Sequence, residues 1–504
     1  MNNSLVHAIV RWCLPPGLLC LVLMGCTLGT SPPIPLPETP LRVTVPATSP
    51  LPHVTSTVNV LSSTPEVSPI PEEARSWLRA NAVPLKTTLP GAGCDDLQPL
   101  LAMIGDARLV ALGEATHGTR EFMTTKHRIL ECLVQEKGFN VLALEAGWSE
   151  ANHIDKAVHS SENVAALKYR YPNFWGGSEL WDCIAWIQAY NQDPKAPFQV
   201  SVRGFDMQFG DLIVQDLLSY VNAVDPGNLD TVQDELACFL KHVTNFSATP
   251  GAPLYSQAGE EVQTLCRQGL QAVYDWFLEH QTAYEEASSP DEFAAAFYLT
   301  TLLIQNEQLM AEPDMLTSVN LRDRYMAENV AWLLERGGPE TKVVLSAHNG
   351  HVTPARSRWV DPDRGVLDSA DGTEFIPMGA YLREWYGDDL VVVGFLFNQG
   401  SFWAIGFSSE MDAPLGYQVF TLPSPLPGSH ESFLSTVDLP LYLLDLRPLR
   451  SVPGLGDWFR EPRWMTSFGM GYVVDDPEAN ASRVVLPEEF DLLIYFGSTS
   501  ELVP

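Results

Sequence analysis

The stretch Arg108–Glu145 reads RLVALGEATHGTREFMTTKHRILECLVQEKGFNVLALE, and it decides the fold. RLVALG (Arg108–Gly113) and FNVLAL (Phe139–Leu144) are short apolar runs of strand length. Between them, Phe122, Ile129, Leu130, Leu133 and Val134 recur at helical spacing, and Gly138 suits the helix C-terminus. A strand, a helix and a strand in immediate succession form a β-α-β unit with parallel strands and a right-handed crossover. Two further segments repeat the apolar pattern, FQVSV (Phe198–Val202) and KVVL (Lys342–Leu345). Each of the four runs stops abruptly in polar chemistry. The first meets Glu114-Ala115-Thr116-His117-Gly118 and the second Glu145. The third meets Arg203-Gly204-Phe205-Asp206 and the fourth Ser346-Ala347-His348-Asn349-Gly350-His351. In open α/β sheets ligands bind outside the carboxyl ends of the strands, so these residues are expected to converge on one pocket.

Outward from that core, Ala151–His159 and Glu179–Asn191 read as helices. Asp211–Arg336 carries helical patterns only, a helical insertion that returns the chain to the fourth strand and is expected to cover the pocket. The last third mixes strands and loops. Leu390–Phe397 and Phe402–Phe407 suggest a hairpin across Asn398–Ser401, with further strands at Gln418–Thr421, Leu441–Leu444 and Leu492–Phe496. The fold class expected is α/β, a mainly parallel central sheet flanked by helices, with the large insertion at 211–336.

The N-terminus belongs to a different regime. Trp12–Gly25 is apolar but interrupted by Pro15 and Pro16, and is shorter than the roughly 20 residues a membrane-spanning helix requires. It suits a signal peptide over residues 1–25. Its end, Leu23-Met24-Gly25-Cys26, resembles a bacterial lipobox, which implies lipidation of Cys26. Residues 26–71 are rich in Pro, Ser and Thr and lack a hydrophobic period, so they read as a disordered spacer. At about 3.1 Å per residue in the polyproline form, this spacer is long enough to hold a domain roughly 100 Å from a membrane. The ordered domain then runs over 72–504, beginning with a helix near Glu72–Asn81. The expected location is extracytoplasmic, anchored to the membrane only by the lipid.

The formal charge of −32 argues against a nucleic-acid partner, since phosphate binding needs clustered Lys and Arg. Of the eight cysteines, Cys13 and Cys20 lie in the signal peptide and Cys26 is the expected lipidation site. Among the rest, Cys238 with Cys266 is the first expected pair and Cys94 with Cys132 the second. No CxxC occurs, which disfavours a cysteine zinc site or redox dithiol.

The candidate chemistry is acid–base. His117 suits a general base that activates water, because imidazole titrates near neutrality. Glu114 or Glu145 would orient it, and His348 or His351 would stabilise the oxyanion or protonate the leaving alcohol. Arg203, Asp206, Asn349 and His351 are candidate substrate contacts. The alternative is a divalent metal held by Glu114, His117, Glu145, His348 and His351; the metal-free reading needs no cofactor. Glu121, Lys126, His127 and Arg128 read as a solvated helix face, and Arg322, Asp323 and Asn329 as possible braces. No Gly-x-Ser-x-Gly elbow is present, which disfavours a covalent acyl-enzyme.

At these residues the chain resembles the erythromycin esterase family. The resemblance is carried by LGEATHGTREFMTTKHRIL, GFNVLALEAGW, VRGFDMQ, RDRYMAENVAWLL and VVLSAHNGHV, in that order, and extends to FDLLIYFGST (Phe490–Thr499). It implies an α/β core with a helical insert and hydrolysis of a carboxylic ester or macrolactone by water attack without an acyl-enzyme. His117 would be the base, with Glu114, Glu145 and His348 completing the set and His351 lining the cleft. A small-molecule ester or lactone is the implied partner, and antibiotic resistance one implied role. A metal-dependent hydrolase and a non-catalytic surface binding protein are the competing readings.

Overall fold

The computed structural model describes residues 70–168, 176–243, 254–358, 360–361, 365–366, 374–408, 414–451 and 458–503. The signal segment, Cys26 and all but the end of the spacer lie outside the described residues, as do residues 173–175 of the Trp-rich stretch.

The central sheet has eight strands, numbered here β1 (Val83–Pro84), β2 (Leu109–Leu112), β3 (Val141–Gly147), β4 (Ser201–Asp206), β5 (Val343–Ser346), β6 (Leu390–Phe397), β7 (Leu441–Asp445) and β8 (Leu492–Phe496). Their order is β1-β7-β8-β6-β2-β5-β3-β4. From β8 to β4 every neighbouring pair is parallel, and only β7 runs against its neighbours. The inner strands are apolar throughout. LVAL, VVLS and LVVVGFLF are buried at every position, the pattern of strands covered on both faces. The α/β expectation holds.

The helix after β2, α1 (Arg120–Lys137), stops at Gly138, whose φ of 72° closes it in the left-handed conformation. It is followed by α2 (Trp148–Val158) and α3 (Gly177–Gln192). The insertion is helical as expected. Its long members are α4 (Gly210–Val224), α5 (Glu260–Ala287), α6 (Pro290–Ala311) and α7 (Met315–Gly337). Cys238–Cys266 fastens α5 to the short helix Ala237–His242, Cys94–Cys132 fastens α1 to the preceding loop, and Cys183 is free and buried. Among the described residues, no helix is long and apolar enough to cross a membrane.

Two expectations are corrected. Leu390–Phe397 and the following strand are not a hairpin. Both edges of β6 are already taken, by β8 and β2. Gly400–Phe407 therefore leaves the sheet, pairs antiparallel with Gly416–Leu422 and parallel with Gly471–Val473. The third strand also begins later than expected, at Ser201, because its neighbour β3 offers pairing only from Val141 onward. Arg203 and Asp206 consequently lie within β4 rather than in a turn after it.

Candidate active site

The carboxyl ends of β2, β5, β3 and β4 lie side by side, so the four polar strand ends do meet. The loops after β2 and β5 are bonded to each other, Ala347 N–H to Leu112 C=O (3.2 Å) and Asn349 N–H to Glu114 C=O (2.8 Å). The Asn349 side chain spends both its polar atoms on Phe395 of β6, donating to its carbonyl at 2.9 Å and accepting from its N–H at 3.3 Å. Asn349 is thus a buried strap between loops, which corrects its place among the substrate contacts. Gly113 is required beneath it, since a Cβ there would sit 2.1 Å from Asn349 Oδ1. Gly118 closes the first loop for a similar reason. It packs against the backbone of Trp403, whose carbonyl would lie 1.9 Å from a Cβ.

The outer layer of the site is Lys126–Glu114–His117. Glu114 receives His117 Nδ1 at 2.5 Å on one oxygen and Lys126 Nζ at 2.5 Å on the other. Lys126 also donates to Ser346 Oγ at 3.0 Å. Burial alone would push the Glu114 carboxyl up, but Lys126 and His117 outweigh it and hold the group below its ordinary value. A carboxylate on Nδ1 fixes the proton there and leaves the Nε2 lone pair free. Among the described residues, His117 Nε2 has no hydrogen-bond partner, and the side chain keeps 12% of its surface exposed.

The inner layer is built around Arg322 of α7. Strand β3 bulges between Leu144 and Gly147, three residues spanning what two span on β4. Gly204 makes room, because a Cβ there would meet the Ala146 and Gly147 carbonyls at 2.6 Å. Glu145 sits in this bulge. One of its oxygens accepts from Arg322 Nη2 at 3.1 Å, the other from the His348 backbone N–H at 2.9 Å. Arg322 further donates to Asp206 from Nε (3.0 Å) and Nη2 (2.6 Å). His351 gives Nδ1 to Asp323 at 2.8 Å, and its Nε2 lies 3.0 Å from Arg322 Nη1 and 3.3 Å from Glu145 Oε1. The last two contacts are alternatives. Neutral imidazole accepts from Arg322; imidazolium donates to Glu145. Burial disfavours the charge, yet Asp323 and Glu145 raise His351 to about 10. Glu145 is opposed by burial as well, but His351, His117 and Arg322 hold it well below the usual carboxylate range.

His348 lies between the layers. Its ring centroid is 5.5 Å from that of His117. Burial, with His117 and His351 nearby, lowers it to about 3, so it stays neutral at ordinary pH.

Of the remaining candidates, Arg203 is corrected. It turns away from the site and pairs with Asp155 of α2. Asp206 and His351 do enter the cluster, but as buried partners of Arg322. The helix face read as solvated is almost wholly buried. Lys126 reaches Glu114, Arg128 bonds Asp96 at 2.5 Å, and Glu121 accepts from Ser500 at 2.7 Å. His127 packs edge-on to Trp186, and its Nε2 lies 3.6 Å from Glu131 Oε1. Two groups escaped the sequence reading, Ser467 Oγ and the Gly469 N–H, each 3.1 Å from His348 Nε2. The only local signal was the pair of glycines in Ser467-Phe468-Gly469-Met470-Gly471.

The five residues proposed as metal ligands do not fit that task. Glu114 is engaged by Lys126, Glu145 by Arg322, and His351 by Asp323 and Glu145. A divalent ion would have to enter between buried cations. Among the described residues, no group of three or more His, Cys, Asp or Glu side chains is arranged to hold one.

Comparison with known proteins agrees with this architecture. The family model described as Erythromycin esterase matches residues 134–499. The match begins beyond the Glu114–His117 loop, whose place in the site rests on the geometry above. Erythromycin esterase type II from Escherichia coli is 25% identical over 372 residues, 71% of this chain and 85% of its own. A putative hydrolase from Bacillus subtilis is 22% identical over 437 residues, 83% of this chain and 89% of its own. A Bacillus cereus protein of known crystal structure is 27% identical, with a TM-score of 0.69, and the alignment covers 85% of this chain and 98% of that one.

Proposed function

Since the chain belongs to the erythromycin esterase family, a membership that carries hydrolase activity, we propose that it hydrolyses a carboxylic ester or macrolactone by His117-activated attack of water, without an acyl-enzyme. The observation that carries this reading is the Glu114–His117 pair at 2.5 Å, with Nε2 directed to no protein partner among the described residues. Glu114 holds the imidazole in the tautomer a base requires. Nε2 takes a proton from water as the oxygen attacks the carbonyl carbon, then returns it to the departing alkoxide. The products are an acid and an alcohol. Glu145 and Arg322 position the loop of His348 rather than exchange protons. The substrate class is a small-molecule ester or lactone, a macrolide among the candidates. The proposal extends to location, with lipidation at Cys26 tethering the domain outside the cytoplasm.

The test is a panel of macrolides and aryl esters, incubated with the purified protein and its His117→Ala variant, with and without chelator, and followed by product mass. The expected result is gain of one water, insensitive to chelator. A general base contributes about 10²- to 10⁴-fold, so the variant should lose at least that much in kcat with its fold intact. Near-wild-type turnover by the variant would end the assignment, and activity restored only by added metal would replace it.

A further inference from the structure

The contacts of His348 cannot all be hydrogen bonds at once. The Gly350 N–H points at Nδ1 (3.1 Å) and the Gly469 N–H points at Nε2 (3.1 Å). A neutral imidazole accepts at one nitrogen only. A proton on Nδ1 would meet the Gly350 N–H head-on. A proton on Nε2 has two acceptors within reach, the Ala115 carbonyl at 3.3 Å and Ser467 Oγ at 3.1 Å. The Nε2–H tautomer is therefore favoured. In that tautomer the Gly469 N–H faces another donor, and a buried N–H so placed lacks the acceptor that such groups almost always have. Ser467 contributes a hydroxyl at the same point. Three donors converge beside the ring of His117.

We propose that Ser467 Oγ–H and the Gly469 N–H, together with His348 Nε2–H, form the oxyanion hole of this hydrolase. The inference rests on the water-attack reading above and adds two groups to it. An oxygen bearing negative charge is the acceptor that this arrangement lacks. The donors are held in place before any substrate arrives. Gly469 takes a left-handed φ of 52°, which favours glycine. Its carbonyl accepts the His117 backbone N–H at 3.2 Å, and Phe468 N–H donates to the Ala115 carbonyl at 3.0 Å. On the far side, Ser467 N–H is bonded to the Asn480 carbonyl at 3.0 Å and Thr466 N–H to Glu431 at 2.7 Å. The segment that offers the donors is thus tied to the loop that carries the base, the preorganisation that makes such donors effective. In the reaction, the water oxygen bonds to the carbonyl carbon and its proton passes to His117. The carbonyl π pair moves onto the oxygen, which the three donors bind. Collapse then breaks the C–O bond, and the alkoxide takes the proton from His117. Ser467 forms no covalent bond.

The test uses 4-nitrophenyl acetate with the wild type, Ser467→Ala, Ser467→Thr and, as control, His117→Ala. Loss of one oxyanion donor costs about 10²- to 10³-fold in kcat. Ser467→Ala is expected to lose that much with KM within a few-fold, and Ser467→Thr to recover most of it. Inhibition by a trifluoromethyl ketone should weaken in Ser467→Ala by a similar factor; a residue that only held the His348 ring would not produce that parallel. Turnover by Ser467→Ala within twofold of wild type, on an ester that His117→Ala fails to cleave, would overturn the oxyanion role alone. An acetyl adduct on Ser467 would overturn it by making the serine a nucleophile. A wild type that cleaves no ester in the panel would remove the hydrolase reading, and this inference with it.

Discussion

His117 and His351 are held in the same way at Nδ1 and left in opposite surroundings at Nε2. Each has Nδ1 on a carboxylate, Glu114 at 2.5 Å and Asp323 at 2.8 Å. The difference lies at Nε2. In His117 it meets no protein group among the described residues, whereas in His351 it is enclosed, 3.3 Å from Glu145 Oε1 with Arg322 beside it. A carboxylate–imidazole pair therefore does not make a catalytic base by itself. What faces the second nitrogen decides whether the proton moves. In the proposed reaction the outer pair exchanges a proton with water, whereas the inner pair belongs to the buried network that aims Glu145 at the backbone of His348.

The sharpest way to break this comparison is Arg322→Met. The substitution removes the buried cation from between Glu145, Asp206 and the His351–Asp323 pair. Removing one partner from a buried ion network typically costs about 3–5 kcal/mol. Chemical denaturation should show a loss of that size. Stability within about 1 kcal/mol of wild type would mean that the inner layer is not a scaffold.

Glu114→Gln tests the other half. The amide cannot serve both His117 Nδ1–H and Lys126 as the carboxylate does, so the tautomer is no longer fixed. Turnover should fall about 10²-fold or more, within the range of general-base catalysis, while KM changes little. Asp323→Asn, its counterpart on His351, should act on stability instead. Equal losses of kcat in the two variants would erase the distinction drawn here.

The sequence made one half of this site more legible than the other. Glu114, His117, Glu145 and His348 stand at the ends of apolar runs, a local pattern, and β2, β3 and β5 place them together. The disulfides Cys94–Cys132 and Cys238–Cys266 also match expectation. Lys126 was misplaced because α1 has no solvated stripe; Phe122 through Val134 are all buried, so a charged residue there had to find an interior partner. The partners of Arg322 depended on how α7 packs against β4, more than a hundred residues away in sequence. Ser467 arrives from a segment 119 residues beyond His348, through a small sheet that the hairpin expectation had assigned differently. Local periodicity carries none of these contacts.

The smallest expected effect concerns Glu431, a buried carboxyl whose charged form burial disfavours. Glu145 is held low by its positive neighbours, whereas burial, outweighing the hydrogen bonds from the Thr466 N–H and Ser429, pushes Glu431 up to about 7. Its folded pKa exceeds its unfolded one, so the stability it contributes is complete below pH 4.5 and is lost as pH rises through 7. The full shift corresponds to about 3 kcal/mol, and a comparison of pH 5 with pH 8 reads about 2 kcal/mol of it. Glu431→Gln does not titrate and keeps a carbonyl for the Thr466 N–H. The variant should therefore gain stability relative to wild type between these two pH values, measured as the shift in denaturation midpoint. A difference that stays constant with pH would mean that Glu431 is compensated after all. The rule separating the layers would then have to be sought in exposure at Nε2 alone, rather than in the presence of a buried cation.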